Sequence, residues 1–226
     1  MTEPAAVTVA ETVRWLHEEG LARLAGIAQR MPNPLCAYTI DVATGSVTGH
    51  PVTGVGLGSD VLTLTADDLP YPVGTSKRLV VVGVTLTESI LVVDLAVAQN
   101  ISVNAFDPVR IIRSWVAQLL LNREVALTTN SADFAVPAGD RCVHAFLPGT
   151  GGTVINVDDR HPPITTIALN SNSDGPDHLD VDADGVGEMY LGARYWALRT
   201  VFGVNEPVWA ALTETLDDRT HLERST

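Results

Sequence analysis

The chain has 226 residues, 46% of them hydrophobic, and carries a formal net charge of −13 at pH 7. That apolar fraction excludes a disordered chain and is enough to bury a core. Twenty-seven acidic side chains against fourteen basic ones exclude the cationic footprint by which proteins hold nucleic acid or anionic membranes, and would draw basic partners or cations instead.

Residues 8–30 predict an amphipathic helix. Thr8 and Glu11 have capping-box spacing, Val9, Val13, Leu16, Leu24 and Ile27 recur near helical period, and Met31-Pro-Asn-Pro34 ends it. Residues 36–49 predict a hairpin turning at Ala43-Thr-Gly45. A glycine-rich loop, Gly54-Val-Gly-Leu-Gly58, leads into a strand at Val61–Thr65. That loop lacks the preceding strand and following helix of a phosphate cradle, so it reads as a loop alone. Leu79–Val82 is continuously apolar and predicts a central strand. Ile90–Asp94 returns from it, and Ile101–Val103 follows.

Residues 107–122 predict a helix with Asp107 as N-cap and Pro108 in the first turn. Val109, Ile112, Trp115, Val116, Leu119 and Leu120 make a stripe broad enough to pack on a sheet. Short strands are expected at 124–128, 142–146, 153–157 and 164–169, with Leu147-Pro-Gly-Thr-Gly151 as a turn between two of them. A polar loop is expected over 170–186, then helices over 187–202 and 206–218 and a frayed charged tail.

These elements predict an α/β (or α+β) fold: a mixed central sheet with flanking helices and a helical C-terminal segment. One domain over 1–226 is expected. If it is subdivided, the loop at 170–186 separates a mixed-sheet core (1–169) from a C-terminal helical cap (187–226). No signal peptide pattern is present, and no apolar run approaches the ~20 residues of a membrane helix, so a cytoplasmic chain without membrane insertion is expected. Cys36 and Cys142 form no Cys-x-x-Cys pair and read as buried free thiols, a disulfide being the alternative. Lys77 is the only lysine among the fourteen basic residues, a bias found in GC-rich coding sequences of the actinobacterial or haloarchaeal kind.

Three constellations carry chemistry. Asp158-Asp159-Arg160-His161 ends a predicted strand, where α/β folds hold active sites, and offers Asp158, Asp159 and His161 as a dispersed acid/base set. Asp180, Asp182 and Asp184 alternate before Gly185, with Glu188 beyond, as oxygen ligands for calcium would. The twelfth position counted from Asp180 is Leu191, so the bidentate glutamate of a helix-loop-helix calcium loop is missing. Tyr195, Trp196 and Trp209 are the aromatic candidates for an interface.

Two resemblances bear on these motifs. Ser173-Asp-Gly-Pro-Asp-His-Leu-Asp-Val-Asp-Ala-Asp-Gly185 resembles the calcium repeats of thrombospondin type 3, which implies calcium as a cofactor. The order of residues 79–128, with Val93-Asp-Leu95, Ile101-Ser-Val103, Arg110 and Arg113, resembles the core of FtsK-type translocases and type VII secretion ATPases, most closely their degenerate members. Asn104-Ala-Phe-Asp107 stands where active members have the phosphate-binding loop. The resemblance implies an α/β domain that no longer hydrolyses nucleotide. The expected function is a non-catalytic protein-interaction or scaffold module with a protein partner or self-association and no cofactor. The alternatives are an enzyme acting through Asp158–His161 and a calcium-stabilised domain.

Overall fold

A computed structural model of the chain describes residues 7–28, 31, 33–52, 61–72, 78–136, 141–158, 164–171 and 175–224. The Gly54–Gly58 loop lies outside them. Thr8 opens α1 (Val9–Trp15) with a full capping box: its hydroxyl accepts the Glu11 N–H, and the Glu11 carboxylate accepts the Thr8 N–H at 2.9 Å. A single π turn, Leu16–Gly20, joins α1 to α2 (Leu21–Ala28). A Cβ on Gly20 would meet the Trp15 ring at 2.8 Å, so glycine lets that ring fold over the turn.

The strands β1 (Leu35–Asp41), β2 (Val47–Pro51), β3 (Leu62–Leu64), β4 (Leu79–Thr85), β5 (Ser89–Asp94) and β6 (Asn100–Ala105) precede α3 (Pro108–Leu121). After it come β7 (Leu127–Thr129), β8 (Cys142–His144), β9 (Val154–Val157), β10 (Thr165–Leu169), β11 (His178–Val181), β12 (Gly187–Leu191) and β13 (Arg194–Val201), then α4 (Glu206–Arg224). Among the described residues all thirteen strands form one sheet, in the order β3-β2-β1-β5-β4-β13-β12-β11-β6-β10-β9-β7-β8. Both β10 and β11 run parallel to β6, while the β1–β5 and β11–β13 stretches are antiparallel. A mixed sheet with helices and a C-terminal helix is the α/β or α+β fold that the sequence predicts.

Two expectations fail. The helix over 187–202 is the hairpin β12–β13, and the loop over 170–186 contains β11. These strands lie between β4 and β6, in the middle of the sheet. Residues 170–186 therefore do not divide a sheet from a helical cap. Only α4 is helical, and it continues to Arg224, where a frayed tail was expected.

The sheet buries both faces over β4 and β5. On one face Leu16, Leu24 and Ile27 of the first helices pack with Tyr38, Ile40, Val81, Ile90 and Val92. On the other, Ile112, Trp115, Val116 and Leu119 of α3 pack with Val80, Val82, Leu91, Val103, Leu179, Met189 and Leu198. Every residue of β4 is buried, as its apolar run predicts. Among the described residues its N-terminal half has no strand partner on one side, because β13 pairs only with Gly83–Thr85. The Gln118 side chain of α3 fills that role, accepting the Val81 N–H at 2.7 Å and donating to the Val81 carbonyl at 3.1 Å.

The sheet coils tightly. Trp196 on β13 meets His50 on β2 edge-on at 5.3 Å, although three strands lie between them in the sheet order. His50 shares a hydrogen bond of 3.0 Å with Thr39. Burial, with help from the nearby Arg194 guanidinium, holds its ring down to a pKa of about 4 against an ordinary 6.5. The unfolded chain takes up a proton near pH 6.5 that the folded chain refuses. The stability that neutral His50 permits is thus whole above pH 6.5 and is lost as pH falls toward 4. Urea titrations from pH 7 to 4 should show His50→Gln losing less stability than the parent across that window. Parallel profiles would refute the assignment.

Candidate functional site

Asp158 has a fixed place in the scaffold. Its side chain is 6% exposed, forms an ion pair with Arg78 and accepts the Ala126 N–H at 3.0 Å, while its own N–H bonds the Ala126 carbonyl. A carboxylate engaged in this way ties the end of β9 to the segments before β4 and β7. Asp159 and His161 lie outside the described residues. Both thiols are buried, free and pushed up to about 11 by desolvation, well away from nucleophilic thiolates.

The Asp-rich motif forms a hairpin turn. Asp182 Oδ1 accepts the N–H groups of Asp184 at 2.9 Å and Val186 at 3.0 Å, and Gly185 takes φ +82°, joining β11 to β12. Asn170, also at positive φ, accepts the Ala105 N–H at 2.9 Å. Among the described residues no three His, Cys, Asp or Glu side chains converge on a point a metal could occupy. The alternation that suggested calcium ligands instead sends Asp180 and Glu188 onto the sheet face and Asp182 into the turn.

Pairing places Asp180 and Glu188 beside the aromatic residues. His178, Tyr190 and Tyr195 lie opposite one another on β11, β12 and β13; Asp180 lies between Asn104 of β6 and Glu188 of β12. Residues directly opposite share a face. The intervening Leu179, Met189 and Leu198 point to the core beneath α3, so His178, Asp180, Glu188, Tyr190 and Tyr195 all stand on the other face. The core layer under α1 and α2 takes its sheet residues from β1–β5, and none from β11–β13 among the described residues. Over β11–β13 it is open among the described residues, with Tyr195 49% exposed.

The side chains on this open face form one hydrogen-bonded and stacked group. His178 stacks on Tyr190 with centroids 4.5 Å apart and planes 19° apart, and Tyr190 meets Tyr195 at 5.0 Å. Both tyrosine hydroxyls donate to Glu188, at 2.9 Å from Tyr190 and 3.1 Å from Tyr195. That carboxylate bond holds the Tyr190 hydroxyl above its ordinary pKa, and desolvation followed by the same carboxylate does so for Tyr195; both remain donors. Asn104 donates to Asp180 Oδ1 at 2.8 Å, and His178 Nδ1 lies 2.9 Å from the Gly175 carbonyl. At the rim of this group, beyond the carboxyl ends of parallel β6 and β11, opens a groove of about 510 Å³. Phe106, next to its lining residue Ala105, is 91% exposed.

Of the three aromatic candidates, only Tyr195 belongs to this face. Trp196 points to the opposite side and packs on the core, and Trp209 is 4% exposed beneath the Arg113 guanidinium. Tyr190 belongs to no motif in the sequence, and His178 and Asn104 stand there only within the Ser173–Gly185 and Asn104–Asp107 runs. Their signal was present in Asp184-Gly185 and Gly192, turn residues that flank alternating strands. No family model, curated protein or solved structure matches this chain. Among the described residues no helix is long and apolar enough to cross a membrane.

Proposed function

We propose that the chain is a non-catalytic protein-interaction module that docks its partner on the open face of β11, β12 and β13. The row of His178, Tyr190 and Tyr195 carries this reading. Aromatic rings with hydroxyls fixed by a carboxylate present large, rigid contact area at little entropic cost, the property that enriches tyrosine at interfaces and their hot spots. The rest of the molecule supports it: Asp158 is engaged with Arg78, and the two thiols are buried and held protonated. The acidic balance of the chain disfavours nucleic acid as the partner.

A photo-reactive phenylalanine analogue at position 195, expressed in the source cell, should give a discrete cross-linked product. The same group at Leu121, exposed on α3 away from this face, should not. A product at twice the chain mass would make the partner a second copy. Absence of any product from position 195, or equal products from both positions, would refute the reading.

A further inference from the structure

The charge of the open face specifies its occupant. Asp180, Asp182 and Glu188 line the groove together with Asn104, Val186 and Ala105, and none of the lining residues is basic. Glu188 holds two tyrosine hydroxyls, each through a different oxygen, and Asp180 holds one asparagine N–H at Oδ1. A carboxylate has about four acceptor positions, so both retain capacity for further donors. Among these contacts the His178 ring lies 3.7 Å from Asp180 Oδ2.

A volume of about 510 Å³ far exceeds the ~30 Å³ of a water molecule, and the carboxylates do not converge. The groove therefore suits a bulky planar or branched cation rather than a bare ion. Tyr195, half exposed, shares Glu188 with the groove through its hydroxyl. The chain's net charge of −13 adds long-range attraction of the same sign.

We infer that the face takes an extended basic protein segment and seats an arginine head group against Asp180 and Glu188. This rests on the interaction reading above and names the partner's chemistry.

The test uses the intact chain and labelled repeat peptides of Gly-Arg, Gly-Gln and Gly-Glu, with binding read by fluorescence anisotropy at two salt concentrations. The Gly-Arg peptide should bind, more weakly at the higher salt, and the other two should not. The pair Asp180→Asn with Glu188→Gln should weaken it at least ~10-fold, about 1.4 kcal/mol. A control pair, Glu18→Gln with Asp67→Asn, removes the same charge from exposed positions elsewhere and should change binding less than ~2-fold.

Equal losses in the two pairs would reduce the effect to bulk charge and overturn the inference. So would failure of the Gly-Arg peptide to bind. Equal binding of Gly-Arg and Gly-Gln, both lost in Tyr190→Ala with Tyr195→Ala, would overturn the basic partner while leaving the docking face standing. Unchanged thermal unfolding of each pair shows that the fold is intact.

Discussion

Replacing Gly83 with alanine should lower stability by about 3 kcal/mol, the upper part of the range for forced overpacking. A Cβ built on Gly83 lies 2.2 Å from the Thr200 carbonyl oxygen and 3.1 Å from the Val201 Cα. These are backbone atoms of the paired strand, which no rotamer change can clear. The position is constrained from both sides, because Gly83 pairs with Leu91 of β5 and with Val201 of β13, and the β4–β5 ladder changes register there. Moving β13 away would strip its core residues Leu198 and Val201 from the layer beneath α3. In a chain of this length about 3 kcal/mol corresponds to a fall in Tm of roughly 6–12 °C. Gly151→Ala is the control, since its Cβ would meet nothing within 4 Å; it should change stability by less than ~0.5 kcal/mol. A Gly83→Ala variant as stable as the control would mean the two strands are not in such close contact.

Asp158→Ala should cost about 3–5 kcal/mol, the loss expected when one partner of a buried ion pair is removed. The Arg78 side chain is 17% exposed and that of Asp158 only 6%. Arg78 Nε is already buried without a partner, so removing the carboxylate takes the ion-pair partner from a guanidinium that is largely out of water. It also leaves the Ala126 N–H without its acceptor. Asp158→Asn should cost less, because an amide oxygen still accepts the Ala126 N–H and asparagine tolerates the φ of +49° found here. Arg78→Ala should cost as much as Asp158→Ala, and the double variant less than the sum of the two, since neither charge is then left alone. Urea unfolding of the four proteins checks this. A catalytic aspartate would behave in the opposite way, its removal leaving stability unchanged or raised. A neutral Asp158→Asn and Asp158→Ala pair would reopen the enzymatic reading.

The local features of the chain were written in its sequence. The Thr8–Glu11 capping box, the Asp107-Pro108 start of α3, the buried β4 run and the 43–45 turn depend on residues within a few positions of one another, and each formed as read. The stripe on α3 also predicted the sheet beneath it. The segment that forms the β12–β13 hairpin carries a helical pattern for a definable reason. Trp196, Leu198, Val201 and Phe202 include spacings of three and four, the helical signature. In the folded chain a bulge between Leu198 and Thr200 inserts one extra residue, so Leu198 and Val201 both face the core three positions apart. Nothing local marks a bulge, which arises where β13 fits against Val84 and Thr85 of β4.

The open face was decided at the same level. Asn104, Asp180, Glu188 and Tyr195 come from four strands, and only their register sets them side by side. Composition fixed how much of this chain is buried and the sign of its charge. Strand order and register, which are set by packing between distant segments, determined which acidic and aromatic side chains meet.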